Sequence, residues 1–340
     1  MTITEFIENY APAFRGHTPG HKGALDRRDV TEILDVFPGD LVAKAEKAAA
    51  FLYGAKKLRF LVNGSSIGIK AAVLALGEDF VTDGYCHQAV TEAAELAGVE
   101  CYKMPLCADA ETGLPALPSY ETLLNEMRNR GVRNAVIQYP DYYGRAADLP
   151  RLYAAVRSMG GTLICDSAHG AHFALRPDLF PVSAVKASDV CNLSAHKTLG
   201  ALTQTAFAAI GGDFDADALD RQLRNLGTTS PNYILLASLE SALADGMAKA
   251  GEYDRLKRFA DGFRAEFPCL KNDDFTRLVV DFGRGQGEKA ARGLYKPGIA
   301  AEKYDDRFVV FILTPYDGDS ELAALKKAVG EIMWLKRGRR

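Results

Sequence analysis

Leu163-Ile164-Cys165-Asp166-Ser167-Ala168-His169 and Ser194-Ala195-His196-Lys197-Thr198 decide how this chain of 340 residues is read. The first is a short aliphatic run that stops at a carboxylate. The second follows another such run, Asp189 to Ser194, and stops at an amine. Alone, either is a strand end followed by a polar turn. Together they set an acid and a lysine at the ends of two buried strands, the pair that a pyridoxal phosphate (PLP) enzyme requires. The Lys197 amine can form a Schiff base with the cofactor aldehyde. The Asp166 carboxylate can pair with the pyridinium nitrogen and keep it protonated, so that the ring accepts electrons.

Outward from these segments, short apolar runs alternate with amphipathic stretches. Leu58 to Val62, Phe80 to Thr82, Val99 to Met104, Asn134 to Tyr139, Thr162 to Asp166, Asp189 to Ser194 and Thr203 to Ile210 read as strands. Helical patterns over Ala43–Tyr53, Ile67–Leu76, His87–Ala97, 119–130 and 148–158 precede or separate most of them. Such alternation predicts an α/β fold, a mostly parallel sheet with helices on both faces. After Pro231 long helices at 232–250 and 252–266, strands at Phe275–Phe282 and Phe308–Leu313 and a last helix at 319–335 predict a small α+β domain. The expected division is an N-terminal arm at 1–50, a large domain at 51–235 and a small domain at 236–340.

A net charge of −3 argues against a general nucleic-acid or anionic-membrane binder. The basic tail Lys336-Arg337-Gly338-Arg339-Arg340 reads as a solvated terminus. None of the six cysteines forms a C-x-x-C pair, so no metal site is expected, and several lie in apolar runs as small core residues. This predicts free thiols in a reducing, cytoplasmic setting. The first residues lack a charged-then-apolar signal pattern, and no window approaches the ~20 apolar residues of a membrane span.

All six histidines fall in the first 200 residues, in or beside strand ends and small-residue loops. Asn63-Gly64-Ser65-Ser66-Ile67-Gly68 follows a strand and opens a helix, where free N–H groups and the Ser65 and Ser66 hydroxyls can hold a phosphate, or simply cap. His87 begins the helix after the next strand; its imidazole can stack on a pyridine ring or cap that helix. Thr228-Thr229-Ser230-Pro231 is a hydroxyl cluster before a helix, read as a cap or a further phosphate contact. Tyr139-Pro140-Asp141-Tyr142-Tyr143-Gly144 ends another strand; its aromatics line a pocket or pack the turn.

These segments together resemble the PLP-dependent ornithine/lysine/arginine decarboxylase family, of the aspartate-aminotransferase fold type (fold type I). The resemblance covers most of residues 12–240. It is carried by Thr18-Pro19-Gly20-His21-Lys22-Gly23, Asp166-Ser167-Ala168-His169-Gly170-Ala171-His172, Ser194-Ala195-His196-Lys197-Thr198-Leu199 and Thr229-Ser230-Pro231. It implies that Lys197 is the Schiff-base lysine and that Asp166 holds the ring nitrogen. His87 and Ala168 would cover the two ring faces. Ser65, Ser66, Ser194 and His196 would hold the phosphate, and Thr229 or Ser230 would reach the phosphate of a partner subunit in a homodimer with shared sites. The sequence departs from the family at Ser167, where Glu is usual, and at Ala195, where Thr is common. It also lacks the Pro-Gly-Glu motif of the family's further C-terminal domain.

The expected function is therefore a short-form PLP-dependent decarboxylase of lysine, arginine or ornithine, with His169 a candidate for contact with the reacting groups. Another fold type I reaction, an aminotransferase or lyase, stays open. So does a PLP-binding homologue with little decarboxylase activity. A missing pocket domain predicts weak turnover, unless Glu302, Asp305 and Asp306 replace its charge. Arg277 and Arg307 are the arginines available for a substrate carboxylate, though each reads more readily as a surface residue.

Overall fold

The computed structural model describes residues 1–33, 40–116 and 119–337. Residues 338–340 of the basic tail lie outside that range. The chain forms two compact units. The first comprises 1–139, 147–177 and 182–246. The second takes 140–146, 178–181 and the chain from Met247 on.

The first unit is built on seven strands: β1 (Lys57–Leu61), β2 (Phe80–Thr82), β3 (Cys101–Lys103), β4 (Asn134–Gln138), β5 (Leu163–Asp166), β6 (Val190–Leu193) and β7 (Ala206–Ile210). Their order is β1-β7-β6-β5-β4-β2-β3. Only β7 runs against the rest, pairing antiparallel with both β1 and β6. The α/β expectation, a mostly parallel sheet flanked by helices, is met. The central strands β5, β6 and β7 are buried along their whole length, which is why they read as unbroken apolar runs.

Helices fill the connections: α1 (Ile3–Asn9), α2 (Leu41–Tyr53), α3 (Ser65–Leu76), α4 (Gln88–Ala97), α5 (Tyr120–Arg130), α6 (Leu149–Ser158), α7 (Ala195–Thr198), α8 (Ala216–Leu226) and α9 (Tyr233–Ala248). Left-handed glycines close α2, α3, α4 and α5 at Gly54, Gly77, Gly98 and Gly131. Ile69, Ala72 and Val73 of α3 and Val90 and Ala93 of α4 pack with Phe80, Val136, Ile164 and Val190 of the sheet. Small residues let α3 lie close. A Cβ on Gly68 would stand 2.0 Å from Asn192 Oδ1, so only glycine fits.

Residues 1–33 and 40–50 group with the first unit rather than forming a separate arm. Thr2 and Glu5 form a capping box on α1, and Ile3, Phe6 and Ile7 are buried. Glu240 of α9 accepts from Ile3 N at 2.8 Å. The division between units falls after Gly246 rather than at 235, because α9 packs Leu236, Leu239 and Leu243 as core before the chain leaves.

The second unit holds α10 (Glu252–Glu266), β8 (Arg277–Asp281), α11 (Gly287–Tyr295), β9 (Lys303–Tyr304), β10 (Phe308–Ile312) and α12 (Asp319–Arg337). Its sheet is antiparallel, in the order β8-β10-β9. Tyr253, Leu256 and Phe263 of α10 and Val279, Val280 and Val309 of the sheet are buried. Phe180 stacks on Phe275 with centroids 4.8 Å apart.

Candidate active site

Because only β7 is reversed, β1, β2, β4, β5 and β6 all deliver their C-terminal ends to one edge of the sheet, the edge where open α/β sheets bind ligands. Asp166 is the last residue of β5; Gln138 of β4 and Asn192 of β6 stand beside it in register. One residue beyond the end of β6, Ser194 opens the single turn of α7 that carries Lys197.

Lys197 Nζ lies 3.3 Å from His169 Nε2. An ammonium has only donors, so in that state the bond needs Nε2 of His169 as the acceptor. His169 is 2% exposed, and the Ser167–His172 turn that holds it is pinned by Tyr53 Oη donating to Ala171 O at 2.7 Å. His169, expected as a candidate for contact with the reacting groups, lies against the Lys197 amine.

Asp166 is buried. Burial pushes its carboxyl up, and the Ala168 N–H and the Lys197 charge pull it back. Its one side-chain hydrogen bond among the described residues comes from Ala168 N, at 3.2 Å. It forms no ion pair among them. A buried carboxylate in this condition lacks a cationic partner, and a protonated ring nitrogen would supply one.

The anion side of the site forms where β1 ends. Gly64, at φ 80°, precedes α3, and no side chain caps that helix, so its first N–H groups are left for other acceptors. Ser194 Oγ donates to Ser65 Oγ at 2.9 Å, joining two of the hydroxyls that the resemblance assigns to a phosphate. Ser66 is the second residue of α3. His196 Nδ1 is 2.8 Å from Thr205 O, which can only accept, so Nδ1 carries a hydrogen. His196 then donates through Nε2 only when doubly protonated. Uncapped amides, two converging hydroxyls, an amine and a buried carboxylate without a cation are the donor set that PLP needs, and the residues fit it.

His87 caps α4, its Nδ1 accepting from Ala89 N at 3.1 Å, while the residue is solvent-exposed. The cap fixes the ring and leaves Nε2 with the hydrogen. Ala168, two residues after Asp166, is buried. Thr229 and Ser230 are exposed. Ser230 Oγ bonds Glu32, and Thr228 N donates to Asn63 Oδ1 at 3.2 Å, so the hydroxyl loop lies against the Asn63 turn of its own chain.

Other sequence candidates are placed elsewhere. His17 Nε2 meets Tyr10 Oη at 2.8 Å, and both ring nitrogens of His21 are engaged, by Gly23 N and Asp29. Arg277 is not a surface residue but fully buried in the second unit, and Arg307 pairs with Asp281. Tyr142 donates to Glu302 at 2.5 Å and Tyr143 to Asp305 at 2.9 Å, so these aromatics pack their turn. Asp305 also accepts the Arg307 and Phe308 amides, and Asp306 accepts from Gly285 N, while Glu302 and Asp306 stay exposed to solvent.

Two neighbours of the site carry no motif. Gln204, at φ 81°, donates through Nε2 to Val62 O at 2.7 Å and receives Gly64 N on its carbonyl at 2.8 Å, fixing the exit of β1. Asp83 follows β2. Burial raises its carboxyl to about 6, with the Gln138 and Tyr85 amides pulling down, the like charge of Asp166 pushing up and Lys103 pulling down.

Comparison with known proteins bears on the same residues. Uncharacterized protein YaaO of Bacillus subtilis is 32% identical over 252 residues, 67% of this chain and 52% of its own. Arginine decarboxylase of Bacillus subtilis is 29% identical over 240 residues, 68% of this chain and 48% of its own. The chain spans about half the length of these relatives. The structure of lysine decarboxylase A from Pseudomonas aeruginosa superposes with a TM-score of 0.82 at 18% identity, covering 99% of this chain and 59% of the other, which shows the fold. Residues 36–262, which hold every site element described above, match the Orn/Lys/Arg decarboxylase major domain, and the chain belongs to that family.

Proposed function

We propose that this chain binds PLP through Lys197 and decarboxylates a basic amino acid, arginine and lysine being the substrates named for its relatives. The observation that carries the reading is Asp166, a buried carboxylate without an ion pair among the described residues, in the field of Lys197. Bound PLP supplies an electron sink for the bond to the departing carboxylate.

The chain's own residues do the rest. Lys197 Nζ provides the attaching amine, and His169 Nε2 holds it in place. Asp166 keeps the ring nitrogen protonated. Ser65, Ser194 and the first turn of α3 take the phosphate, and the exposed face of His87 covers the ring. Thr229 and Ser230 are assigned to the phosphate of a second copy in a homodimer with shared sites, a reading supported by their exposure beside the Asn63 turn. Among the described residues no helix is long and apolar enough to cross a membrane. Six free thiols suit a cytoplasmic enzyme.

A second reading is a PLP-binding homologue of low turnover. It is favoured by the engagement of Glu302, Asp305 and Asp306, the acids available to a substrate cation in the second unit. One experiment separates the two. Purified protein with PLP is given arginine, lysine and ornithine, and carbon dioxide, amine and keto acid are measured separately. Amine with stoichiometric carbon dioxide is expected. PLP binding without either product supports the second reading. A borohydride-fixed adduct that survives Lys197→Ala overturns both.

A further inference from the structure

We propose that Asp83 is a positioning residue of this site, a carboxylate clamp that fixes the His87 turn to the strand beside Asp166. The inference rests on the PLP reading above for its consequence, and on hydrogen-bond geometry for the clamp itself.

Asp83 is the first residue after β2 and is 6% exposed. Oδ1 accepts from Tyr85 N at 3.0 Å, which closes the turn leading to His87. Oδ2 accepts from Gln138 N at 2.7 Å, on a different strand. Gln138 is the register partner of Asp166, and the next amide, Tyr139 N, donates to Asp166 O at 2.9 Å. One side chain therefore connects the backbone that carries His87 to the backbone that abuts Asp166. The turn is held from the other side as well. A Cβ on Gly84 would come within 2.8 Å of Met104 O, so the turn lies directly on the segment after β3.

The residue type follows from the donors. Two backbone N–H groups arrive from different elements, one at each oxygen, and a carboxylate alone offers an acceptor at both. An amide would turn its NH2 toward one of the donors. No cation is bonded to Asp83 among the described residues. The charged groups facing it are Asp166 from β5 and Lys103 from β3, with the Cys86 thiol in its own turn. A buried carboxylate held only by amides is costly to keep, and a plain Asp-Gly turn on the surface would close the same chain reversal. Its use here is to fix the ring-covering histidine relative to the ring-nitrogen acid.

The test is a double-mutant cycle on cofactor affinity with Asp83→Asn and His87→Ala. Asp83→Asn is expected to weaken PLP binding about tenfold, the effect of losing one charge-assisted hydrogen bond. In the His87→Ala background the same change is expected to have almost no effect, because the clamp acts through His87. Equal effects in both backgrounds, or none in either, overturn the proposal. If Asp83→Asn does not fold, the wild-type apoprotein decides. The amide proton shifts of Tyr85 and Gln138 must titrate together, with one midpoint near 6, because they share one carboxylate. Separate midpoints overturn the clamp. Failure of the wild type to bind PLP overturns the cofactor reading instead, and the amide titration then decides the clamp by itself.

Discussion

Asp83→Asn also has a consequence for stability, and its sign depends on pH. The ordinary carboxyl value of 3.8 is raised to about 6 in the folded chain, chiefly by burial. The folded state therefore takes up a proton at a higher pH than the unfolded state does. The stabilisation this gives is fully present below pH 3.8 and is lost as pH rises through 6. A rise of about two pH units corresponds to about 3 kcal/mol in full. Between pH 7.5 and pH 4.5 the part recovered is about 2 kcal/mol. Asparagine cannot titrate, so the variant lacks this slope. Urea unfolding of both apoproteins at a series of pH values, followed by circular dichroism, gives the difference directly. The wild type is expected to gain about 2 kcal/mol on the variant as pH falls across that range. Asp220, whose carboxyl lies low at about 2, titrates outside the window and does not confuse it. A difference between the two proteins that stays constant from pH 7.5 to 4.5 would refute the argument.

Three further outcomes are expected. Asp166→Asn should retain much of its PLP, since the amine and the phosphate contacts remain, but lose ~10²- to 10³-fold in turnover, as for removal of a preorganised electrostatic partner; near wild-type turnover would remove Asp166 from its role. Gly68→Ala places a methyl 2.0 Å from Asn192 Oδ1 and 2.9 Å from Leu61 Cδ1, so α3 must lift from the sheet. A loss of about 1–3 kcal/mol, read as a lower melting temperature, should come with weaker PLP binding, and an unchanged melt would show that α3 is not seated in this way. Asp220→Asn removes the carboxylate paired with Arg59 and Lys57, both at 2.8 Å, and leaves Arg59 its second partner, Glu46. Partial burial raises the Asp220 carboxyl, but Arg59 and Lys57 overcome this and hold it near 2, so its contribution is full above pH 3.8 and fades as pH falls toward 2. A loss of about 1 kcal/mol at pH 7, reduced by solvent screening of this partly exposed group, that shrinks at pH 3 is expected in chemical denaturation.

Much of the fold is legible in the sequence because burial leaves a local trace. β5 and β6 are covered on both faces, so Leu163-Ile164-Cys165 and Val190-Cys191 read as apolar runs without alternation. Two of the described helices beyond the expected set, α1 and α8, carry local signals of their own. Thr2 with Glu5 is a capping box, and Asp215 caps α8 ahead of Leu219, Leu223 and Leu226. The strand pattern that starts at Thr203 overruns β7 by three residues. Gln204 breaks the strand there with a left-handed backbone to meet Val62 and Gly64, a demand set by β1 rather than by its own neighbours. Nor does the sequence show that 140–146 and 178–181 join the second unit. That depends on Arg277, Asn272 and Phe275, whose partners are far along the chain.

The site divides along the same line. Lys197, Asp166 and His169 can be proposed from the sequence because the chemistry confines residue type and because strand ends confine place. Asp83 is not. Thr82-Asp83-Gly84-Tyr85 reads as an ordinary turn, and half of that reading is correct, since Oδ1 does close the turn on Tyr85. The other oxygen meets an amide 55 residues away, on a strand that adjoins β2 only in the folded sheet. That contact sets the electrostatics of the edge. Two buried carboxylates, Asp83 and Asp166, act on each other as like charges. Two backbone amides satisfy Asp83 without neutralising it, and a single amide bonds Asp166. A cation beside Asp166, such as a protonated ring nitrogen, would be favoured by both acids, and a neutral ring in the same place would leave Asp166 without a partner for its charge.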